Sequence, residues 1–256
     1  MKDLFGGAAP YYAKYRTRYA DPAIEHLAAT FGADSVVLDL GCGPGTVAIP
    51  LAARVREVLA VDPEAEMLAE GRRLAGRAAN IRWLRGDSRT LRELPAFGHV
   101  VMGRSFHWMD RRAVLAELDG LLPPGGVVAL VGPPRRVAEE PWEPAMRRVR
   151  DEFEVNTFTA ANTYQATGVH YEEVLAGSPF GVLDRVRYEQ RHTYGLEAVI
   201  GLQLSYSYTA PARLGDRLPA FTEAARRELL ALNPAGTWEL VSVTEVLTAR
   251  RPPRSP

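Results

Sequence analysis

The chain has 256 residues, 46% of them hydrophobic and 24% charged, which is enough for one large α/β domain or a domain with an inserted segment. Its 31 basic and 31 acidic side chains give a formal charge of zero, which argues against a surface that coats nucleic acid. No apolar run approaches the roughly 18 residues of a membrane span, and one cysteine cannot form an internal disulfide, so we expect a cytoplasmic protein that does not bind a membrane.

Two short helices are predicted before the first strand, and we group residues 1–34 as a helical arm or lid. Residues 8–20 carry four tyrosines at helical spacing, Tyr11, Tyr12, Tyr15 and Tyr19. This stripe either packs onto the core or covers a ligand, and both interpretations stay open at this stage. Asp21 as N-cap and Pro22 at the first helical position then predict a second helix to about Phe31.

The most informative stretch is VVLDLGCGPGT at 36–46, where a predicted strand meets a helix at three alternate glycines, Gly41, Gly43 and Gly45. The apolar run of 36–40 predicts a buried parallel strand. Glycines at the turn that follows let the backbone approach a ligand closely. A second predicted strand, 57–62, ends in Asp62, whose carboxylate can accept hydrogen bonds from both hydroxyls of a ribose.

The glycine spacing distinguishes between adenosine-containing cofactors. A dinucleotide loop has the pattern G-x-G-x-x-G, in which a pyrophosphate rests on the helix N-terminus. Here the third glycine comes one residue early, at Gly45, and Thr46 takes its expected place. Asp39, two residues before Gly41, would repel a pyrophosphate but suits a cationic amino group. The spacing therefore disfavours a nicotinamide cofactor.

Strands and helices continue to alternate as far as residue 132. The predicted elements are helices at about 45–54 and 64–75, strands at 81–85 and 99–103, a helix at 110–122 and a strand at 127–131. This alternation predicts an α/β fold with a doubly wound, mostly parallel sheet. We place the cofactor-binding core at 35–132.

The second half of the chain has a different pattern. Residues 133–179 show helical charge patterning without a strand, which predicts a helical cap inserted on the substrate side. Strands at 182–193 and 239–249, separated by helices, bring the sheet to seven strands within the remaining core segment, 180–250. We expect residues 251–256 to be a disordered tail.

Asp39, Gly41, Gly43 and Gly45 fill the pattern D-x-G-x-G-x-G, which resembles motif I of the class I S-adenosylmethionine-dependent methyltransferases. VDPEAEML at 61–68 and RGDSRTL at 85–91 look like the segments that follow it, and GRSFHWMD at 103–110 resembles the motif IV region. YYAKYRTRY at 11–19 is similar to the arm of the branch that includes trans-aconitate methyltransferases. The resemblance implies a Rossmann-like methyltransferase fold, with S-adenosylmethionine as cofactor and S-adenosylhomocysteine as product.

The resemblance also implies a cofactor site along the carboxyl edge of the sheet. In that site Asp39 would contact the methionine amino group, Asp62 the ribose hydroxyls and Asp87 the adenine amino group. The other predicted cofactor contacts are Gly41, Cys42, Gly43, Gly45, Pro63, Met67, Ser88, Ser105, Tyr15 and Arg16.

The loop after the fourth strand, the cap and the arm supply the candidate acceptor-binding residues. His107 can take a proton from a hydroxyl or amine during methyl transfer, or it can simply hydrogen-bond the loop backbone. The predicted substrate contacts are Phe106, Trp108, Tyr11, Trp142, His170, Tyr171 and Tyr206. The sequence shows no clustered metal ligands at suitable spacing, so we predict no metal site.

We therefore predict methyl transfer from S-adenosylmethionine to a small molecule, by O- or N-methylation of the kind found in secondary metabolism. In-line displacement requires the acceptor atom to be held about 3 Å from the methyl carbon. Two alternatives stay open: an enzyme of the same fold that catalyses non-methyl chemistry such as cyclisation, and a cofactor-binding subunit without catalysis. The sequence carries no signal for an oligomeric state.

Overall fold

A computed structural model of the chain describes residues 5–135, 139–155 and 164–253. The strands of this described part are β1 Val36–Leu40, β2 Glu57–Asp62, β3 Ile81–Arg85, β4 His99–Gly103, β5 Val127–Gly132, β6 Val182–Gly195 and β7 Thr237–Arg250. They form one sheet in the order β3-β2-β1-β4-β5-β7-β6. Pairs among β1 to β5 are parallel and β7 runs antiparallel to β5, which confirms the predicted seven-stranded α/β fold.

The helices of the described residues are α1 Ala9–Tyr15, α2 Asp21–Phe31, α3 Ala48–Ala52, α4 Ala65–Ala75, α5 Arg111–Leu121, α6 Glu143–Glu152, α7 Tyr164–Thr167, α8 Tyr171–Ala176, α9 Leu196–Gln203, α10 Pro211–Leu214 and α11 Leu218–Leu232. Short 3-10 turns occupy Leu91–Glu93, Phe106–Trp108 and Gly215–Arg217. No helix in this part of the chain is both long and apolar enough to cross a membrane.

Two N-terminal predictions were wrong in detail. The first helix ends at Tyr15 rather than near residue 20, because Arg16 takes an extended conformation. Tyr19 therefore does not lie on the same helical stripe as Tyr11 and Tyr15. Asp21 is the first residue of α2 rather than its N-cap, but its negative charge in the first turn still interacts favourably with the helix dipole.

The third helix is also shorter than the predicted 45–54. Gly45 has a positive φ of 83°, so the chain is still turning there, and α3 begins only at Ala48. In contrast, β6 and β7 extend beyond their predicted ends, to 14 residues each. The helix, strand and turn bounds between residues 36 and 103 otherwise lie close to the prediction.

The chain groups into two compact units. The first unit comprises residues 1–18, 135–158 and 189–243, and its core is built around Trp142, with Met146 and Phe221 also fully buried.

The second unit comprises residues 19–134, 159–188 and 244–256 and contains β1 to β5. Its core has two apolar layers, one including Leu27 and Leu51, the other including Leu59 and Leu118. All four of these leucines are fully buried. The predicted division into arm, core, cap and tail stays a prediction. Within the predicted tail, the Arg251 guanidinium donates to Asp119 Oδ1 at 2.6 Å, and residues 254–256 lie outside the described part of the chain.

Candidate active site

The carboxyl ends of β1, β2 and β4 meet at one edge of the sheet in the second unit. Parallel pairing aligns Asp39 of β1 with Ala60 of β2 and Val101 of β4, so the loops after these strands are neighbours. β2 lies on one side of β1 in the sheet and β4 lies on the other, so the strand order reverses at β1. In α/β sheets, ligands bind at such a reversal of strand order, outside the carboxyl ends.

Asp62, the last residue of β2, connects the glycine loop to the start of α4. Its Oδ2 accepts from the Gly43 N–H at 2.8 Å and its Oδ1 accepts from the Glu64 N–H at 2.9 Å. Burial raises the pKa of Asp62, while these two N–H groups oppose the rise. The carboxylate therefore braces the loop.

Of the two carboxylate oxygens of Asp39, on β1, one accepts a hydrogen bond and the other does not. Its Oδ2 accepts from the Ala48 N–H at 3.0 Å, but its buried Oδ1 has no hydrogen-bond partner among the described residues. Only 1% of Asp39 is exposed, and burial raises its pKa to about 7. Since an unsatisfied buried acceptor is costly, a ligand with a cationic donor fits this position.

The glycines of the loop have different surroundings. Gly41 has a φ of 74°, and a Cβ added there would lie 2.4 Å from the Ser105 Cβ, so the packing requires glycine. Gly43 has a φ of 54°, but a Cβ there would meet nothing within 4 Å. A ligand can therefore approach the backbone most closely at Gly43. Gly45 has a φ of 83°, and a Cβ there would lie 2.6 Å from the Trp83 ring.

Three other predicted cofactor residues are buried: Ser105 after β4, Cys42 within the loop and Met67 in α4. Ser105 donates its Oγ–H to the Leu40 carbonyl at 2.6 Å, which ties the segment after β4 to the end of β1. The thiol of Cys42 is buried, and burial raises its pKa well above the usual range. Met67, in α4, is 3% exposed. Ser105 and Cys42 thus support the loop from within the protein.

The predicted adenine side is more open. Asp87 forms an ion pair with Arg89, which lowers the pKa of its carboxyl group. Pro63 is exposed and its carbonyl accepts from Arg85 Nε at 3.2 Å, while Ser88 is half-buried. Contact between Asp87 and an adenine amino group would require that carboxylate to be shared with Arg89.

The segment after β4 contacts a distant part of the chain. Phe106, in the 3-10 turn, is 2% exposed, and its ring meets the edge of the Tyr171 ring at 5.5 Å. His107 is half-buried, with its ring 5.1 Å from that of Trp108, which is 37% exposed. His170, buried at the start of α8, directly precedes Tyr171. The structure thus brings four of the predicted substrate residues and His107 to one part of the second unit.

Sequence reasoning missed Arg111, which organises this region. Its guanidinium donates to the Val169 carbonyl and to Thr167 Oγ1, both at 3.0 Å, and lies 5.7 Å from the Tyr171 ring centroid. Arg111 is 6% exposed and has no ion pair within the described residues. In the sequence it resembles any arginine at the start of a helix, since only the fold places 167–171 against α5.

Arg104, the residue after β4, was also missed. It has a positive φ of 54°, a conformation that costs a non-glycine residue about 1–2 kcal/mol. Its guanidinium lies 5.0 Å from the centroid of the Tyr19 ring. Strained backbone of this kind clusters at functional sites, and here it directly precedes Ser105.

Tyr11, Tyr15 and Trp142 belong to the first unit. Tyr11 and Tyr15 stack at 6.3 Å, and the Tyr15 ring covers Gly201, where a Cβ would lie 2.2 Å from it. Trp142 is fully buried, 4.9 Å from the Tyr194 ring. Trp142 therefore belongs to the core of this unit, and contacts of Tyr11 and Tyr15 with cofactor or substrate stay predictions.

Arg16 and Tyr206 pack against each other in the same unit. The Arg16 guanidinium lies 4.1 Å from the Tyr206 ring centroid, and its Nη2 donates to the Ser205 carbonyl at 3.3 Å. Their predicted roles at the cofactor and the substrate also stay predictions.

Comparison with known proteins gives one family match and several relatives. Residues 37–126 match a family model described as "Methyltransferase domain". An uncharacterized methyltransferase of Mycobacterium tuberculosis is 46% identical over 100 residues, 37% of this chain and 49% of the relative. A trans-aconitate 2-methyltransferase of Methylobacterium nodulans is 34% identical over 148 residues, 56% of this chain and 55% of the relative. The chain thus spans about half the length of each of these two relatives.

Solved structures share the fold at low sequence identity. An S-adenosylmethionine-dependent methyltransferase from Geobacter sulfurreducens, in complex with S-adenosylhomocysteine, has a TM-score of 0.54 and 15% identity. The match covers 98% of this chain and 99% of that one.

Proposed function

We propose that the chain, whose residues 37–126 match a methyltransferase domain, is a class I S-adenosylmethionine-dependent enzyme that methylates an oxygen or nitrogen of a small molecule. The acceptor would bind next to the carboxyl edge of β1, β2 and β4, near the segment Phe106–Trp108.

The observation that carries the proposal is the pair of acids at that edge. Asp62 holds the glycine loop through the Gly43 and Glu64 amides, while Asp39 keeps one buried oxygen unsatisfied. An amino group of the cofactor would supply the missing donor to Asp39. Gly43, with open space where a Cβ would lie, leaves room for the cofactor beside the loop.

When bound, S-adenosylmethionine supplies a methyl group that its sulfonium charge has already activated. The protein then mainly has to bind and orient the acceptor and to exclude water, since holding two reactants in the right geometry can remove about 7–11 kcal/mol of the barrier to a bimolecular transfer. Tyr171, which is half-buried and packs on Phe106, and the exposed Trp108 offer aromatic surface for an acceptor. His107, next in the chain to Phe106, would take a proton at an imidazole nitrogen from a hydroxyl or amine acceptor.

The acceptor class has support from the relatives. The Methylobacterium nodulans relative is named for methylation of trans-aconitate, a small polycarboxylic acid. The balanced charge of this chain supports a small molecule over nucleic acid as its acceptor. A carboxylate acceptor would need no base, whereas a phenol or amine would use His107.

The cofactor site can be tested by isothermal titration of the full chain with S-adenosylhomocysteine. We expect micromolar binding by the wild type and at least tenfold weaker binding by Asp39→Asn, because the new amide would place a donor against the cofactor's amino group. Asp119→Asn, at the exposed partner of Arg251, is the matched control and should bind as the wild type does.

Two outcomes would count against the proposal. Absence of binding by a folded wild type would exclude a functional cofactor site. Equal affinities for the wild type and Asp39→Asn would remove Asp39 from that site, even though the family assignment would stand.

A further inference from the structure

Arg104, the residue that follows β4, has a backbone conformation that glycine adopts more easily. In the described part of the chain ten glycines have a positive φ, whereas among the other residues only Arg104 and Glu154 do. A glycine at position 104 would take the φ of 54° without the Cβ clash that arginine has. An arginine here therefore indicates that its side chain has a use at the end of β4.

The Arg104 side chain lies over the carboxyl ends of β4 and β5. Its backbone N–H donates to the Val131 carbonyl at 3.0 Å, and its Cγ lies 3.7 Å from the position of a Cβ added at Gly132. Its guanidinium lies 5.0 Å from the centroid of the Tyr19 ring, and the residue is half-buried. These contacts keep the positive charge at the sheet edge.

Tyr19 connects Arg104 to the glycine loop within the second unit. The Tyr19 hydroxyl oxygen and Val47 Cγ2 each lie 2.9 Å from the position of a Cβ added at Gly103, the last residue of β4. Tyr19 is 5% exposed, so its ring is fixed between the loop and the guanidinium. Val47 directly precedes the residue whose N–H donates to Asp39 Oδ2.

Asp39 and Arg104 thus flank the same part of the edge. Asp39 pairs with Val101 of β4, and neighbouring strands lie about 4.8 Å apart. Arg104 follows Val101 by three residues, which is about 10 Å at about 3.3 Å per residue. The two side chains shorten this interval from both ends, so the charged groups of one amino acid fit between them.

The charges of an α-amino acid require opposite partners at this place. Its ammonium group matches Asp39 Oδ1, which accepts no hydrogen bond from a described residue. Its carboxylate is attached to the same carbon and would be repelled by Asp39 and Asp62. A guanidinium beside that carboxylate offsets the repulsion and can donate two parallel N–H bonds to it.

We propose that Arg104 binds the α-carboxylate of S-adenosylmethionine, so that Asp39 and Arg104 together recognise the charged amino-acid end of the cofactor. This role rests on the proposed function, because it takes the cofactor of that function as its ligand. Glycine at position 104 would relieve the backbone but would leave the carboxylate without its cation.

The test is isothermal titration of the full chain with two ligands that differ by one group. S-adenosylhomocysteine carries the carboxylate, and decarboxylated S-adenosylhomocysteine keeps the amino group without it. We expect the wild type to bind S-adenosylhomocysteine at least tenfold more tightly than the decarboxylated ligand. Arg104→Gln, which removes the charge, should lose this preference while its affinity for the decarboxylated ligand does not fall.

Two further variants control for charge. Arg104→Lys should recover part of the preference, because it restores a positive charge without the planar pair of donors. Arg82→Gln is the matched control, since Arg82 is exposed on β3 and pairs with Glu57. It should bind both ligands as the wild type does.

Arg104→Gly tests the backbone conformation without any ligand. We expect it to melt at a higher temperature than Arg104→Gln, since both variants lack the charge and only glycine adopts the positive φ without strain. It should bind S-adenosylhomocysteine as weakly as Arg104→Gln does. A lower melting temperature would show that position 104 is not strained and would count against a ligand as the reason for its arginine.

Two results would overturn the role of Arg104 and leave the methyltransferase proposal standing. Equal losses of affinity for both ligands in Arg104→Gln would show that Arg104 acts through the fold rather than through the carboxylate. Unchanged affinity for both ligands would show that Arg104 does not contact the cofactor.

Other results bear on the proposed function. Absence of S-adenosylhomocysteine binding by a folded wild type would refute both proposals. Loss of the carboxylate preference in Arg104→Gln, together with no transfer of labelled methyl to small-molecule acceptors by the wild type, would support the role of Arg104 and count against the proposed function.

Discussion

At the scale of single residues, the two acids at the carboxyl edge of β1 and β2, Asp39 and Asp62, differ in how many of their carboxylate oxygens accept a hydrogen bond. Both were predicted from the sequence, because each ends or nearly ends a buried strand beside a glycine loop. The sequence could not show that Asp62 is satisfied by the Gly43 and Glu64 amides while Asp39 keeps one oxygen unsatisfied. That difference depends on where backbone N–H groups point after the turn, which no pattern of residue types specifies.

The loop glycines give a prediction at this scale. Gly41→Ala should destabilise the fold by at least 1 kcal/mol more than Gly43→Ala, since both have positive φ but only Gly41 faces the Ser105 side chain. Gly43→Ala should instead weaken S-adenosylhomocysteine binding, because its new methyl group enters the open space beside the loop. Urea unfolding and titration on both variants measure the two effects.

Ser105→Gly combined with Gly41→Ala serves as the control, because it removes the atom that the new methyl group would meet. Because Ser105→Gly by itself loses the bond to the Leu40 carbonyl, the single Ser105→Gly variant is measured as well, and Gly41→Ala should cost less stability in the Ser105→Gly background than in the wild type. Equal losses of stability in Gly41→Ala and Gly43→Ala would show that the close contact with the Ser105 side chain adds nothing to the cost of the substitution at Gly41.

At the scale of elements, the strands from β1 to β5 were predictable because each is a short, mostly apolar segment that ends at or just before an acid, a glycine or a turn. Helix ends were less predictable. Nothing in YYAKYRTRY marks Tyr15 as a last helical residue, since the stop comes from Arg16 turning to an extended conformation and packing on Tyr206. Contacts between distant elements, such as Phe106 with Tyr171, were not predictable at all.

Arg111 carries the prediction at this scale. Arg111→Met should keep the packing of its stem but lose the bonds to Val169 and Thr167, which should lower stability by about 1–3 kcal/mol. Amide exchange should become faster at 167–171, while S-adenosylhomocysteine affinity should stay unchanged. Arg112→Met, at the exposed neighbouring position, is the control; equal acceleration in both variants would show that Arg111 does not hold this segment.

At the scale of the whole molecule, the α/β class, the seven strands and the methyltransferase resemblance were all confirmed. The alternation of strands and helices is local in sequence and so can be recognised there. The grouping into compact units is not local, because 135–158 joins 189–243 and 159–188 joins the strands of the core. Composition within 133–179 gives no sign of that division, and the single predicted cap stays a prediction.

Stability against pH is a property of this whole fold. The folded pKa of Asp39 is about 7, above its ordinary value of 3.8, so the folded state holds a proton that the unfolded state has lost between these values. Stability should therefore fall as pH rises from about 4 to 7, by roughly 4 kcal/mol at about 1.4 kcal/mol per pKa unit. The raised pKa of Asp62 acts in the same direction.

Urea unfolding at several pH values should show this fall in the wild type and a flatter profile in Asp39→Asn, which has no proton to lose. Asp119→Asn should follow the wild type. Parallel profiles for the wild type and Asp39→Asn would show that Asp39 titrates near its ordinary pKa.

Cys42 has a practical consequence for chemical labelling. It is the only cysteine of the chain, and burial both shields its sulfur and keeps it protonated, whereas alkylation requires an accessible thiolate. A cysteine introduced at an exposed position, such as Arg147 or Arg112, would then react alone with a maleimide dye. Site-specific fluorescent labelling of an introduced cysteine therefore does not require that Cys42, which lies between Gly41 and Gly43, be replaced first.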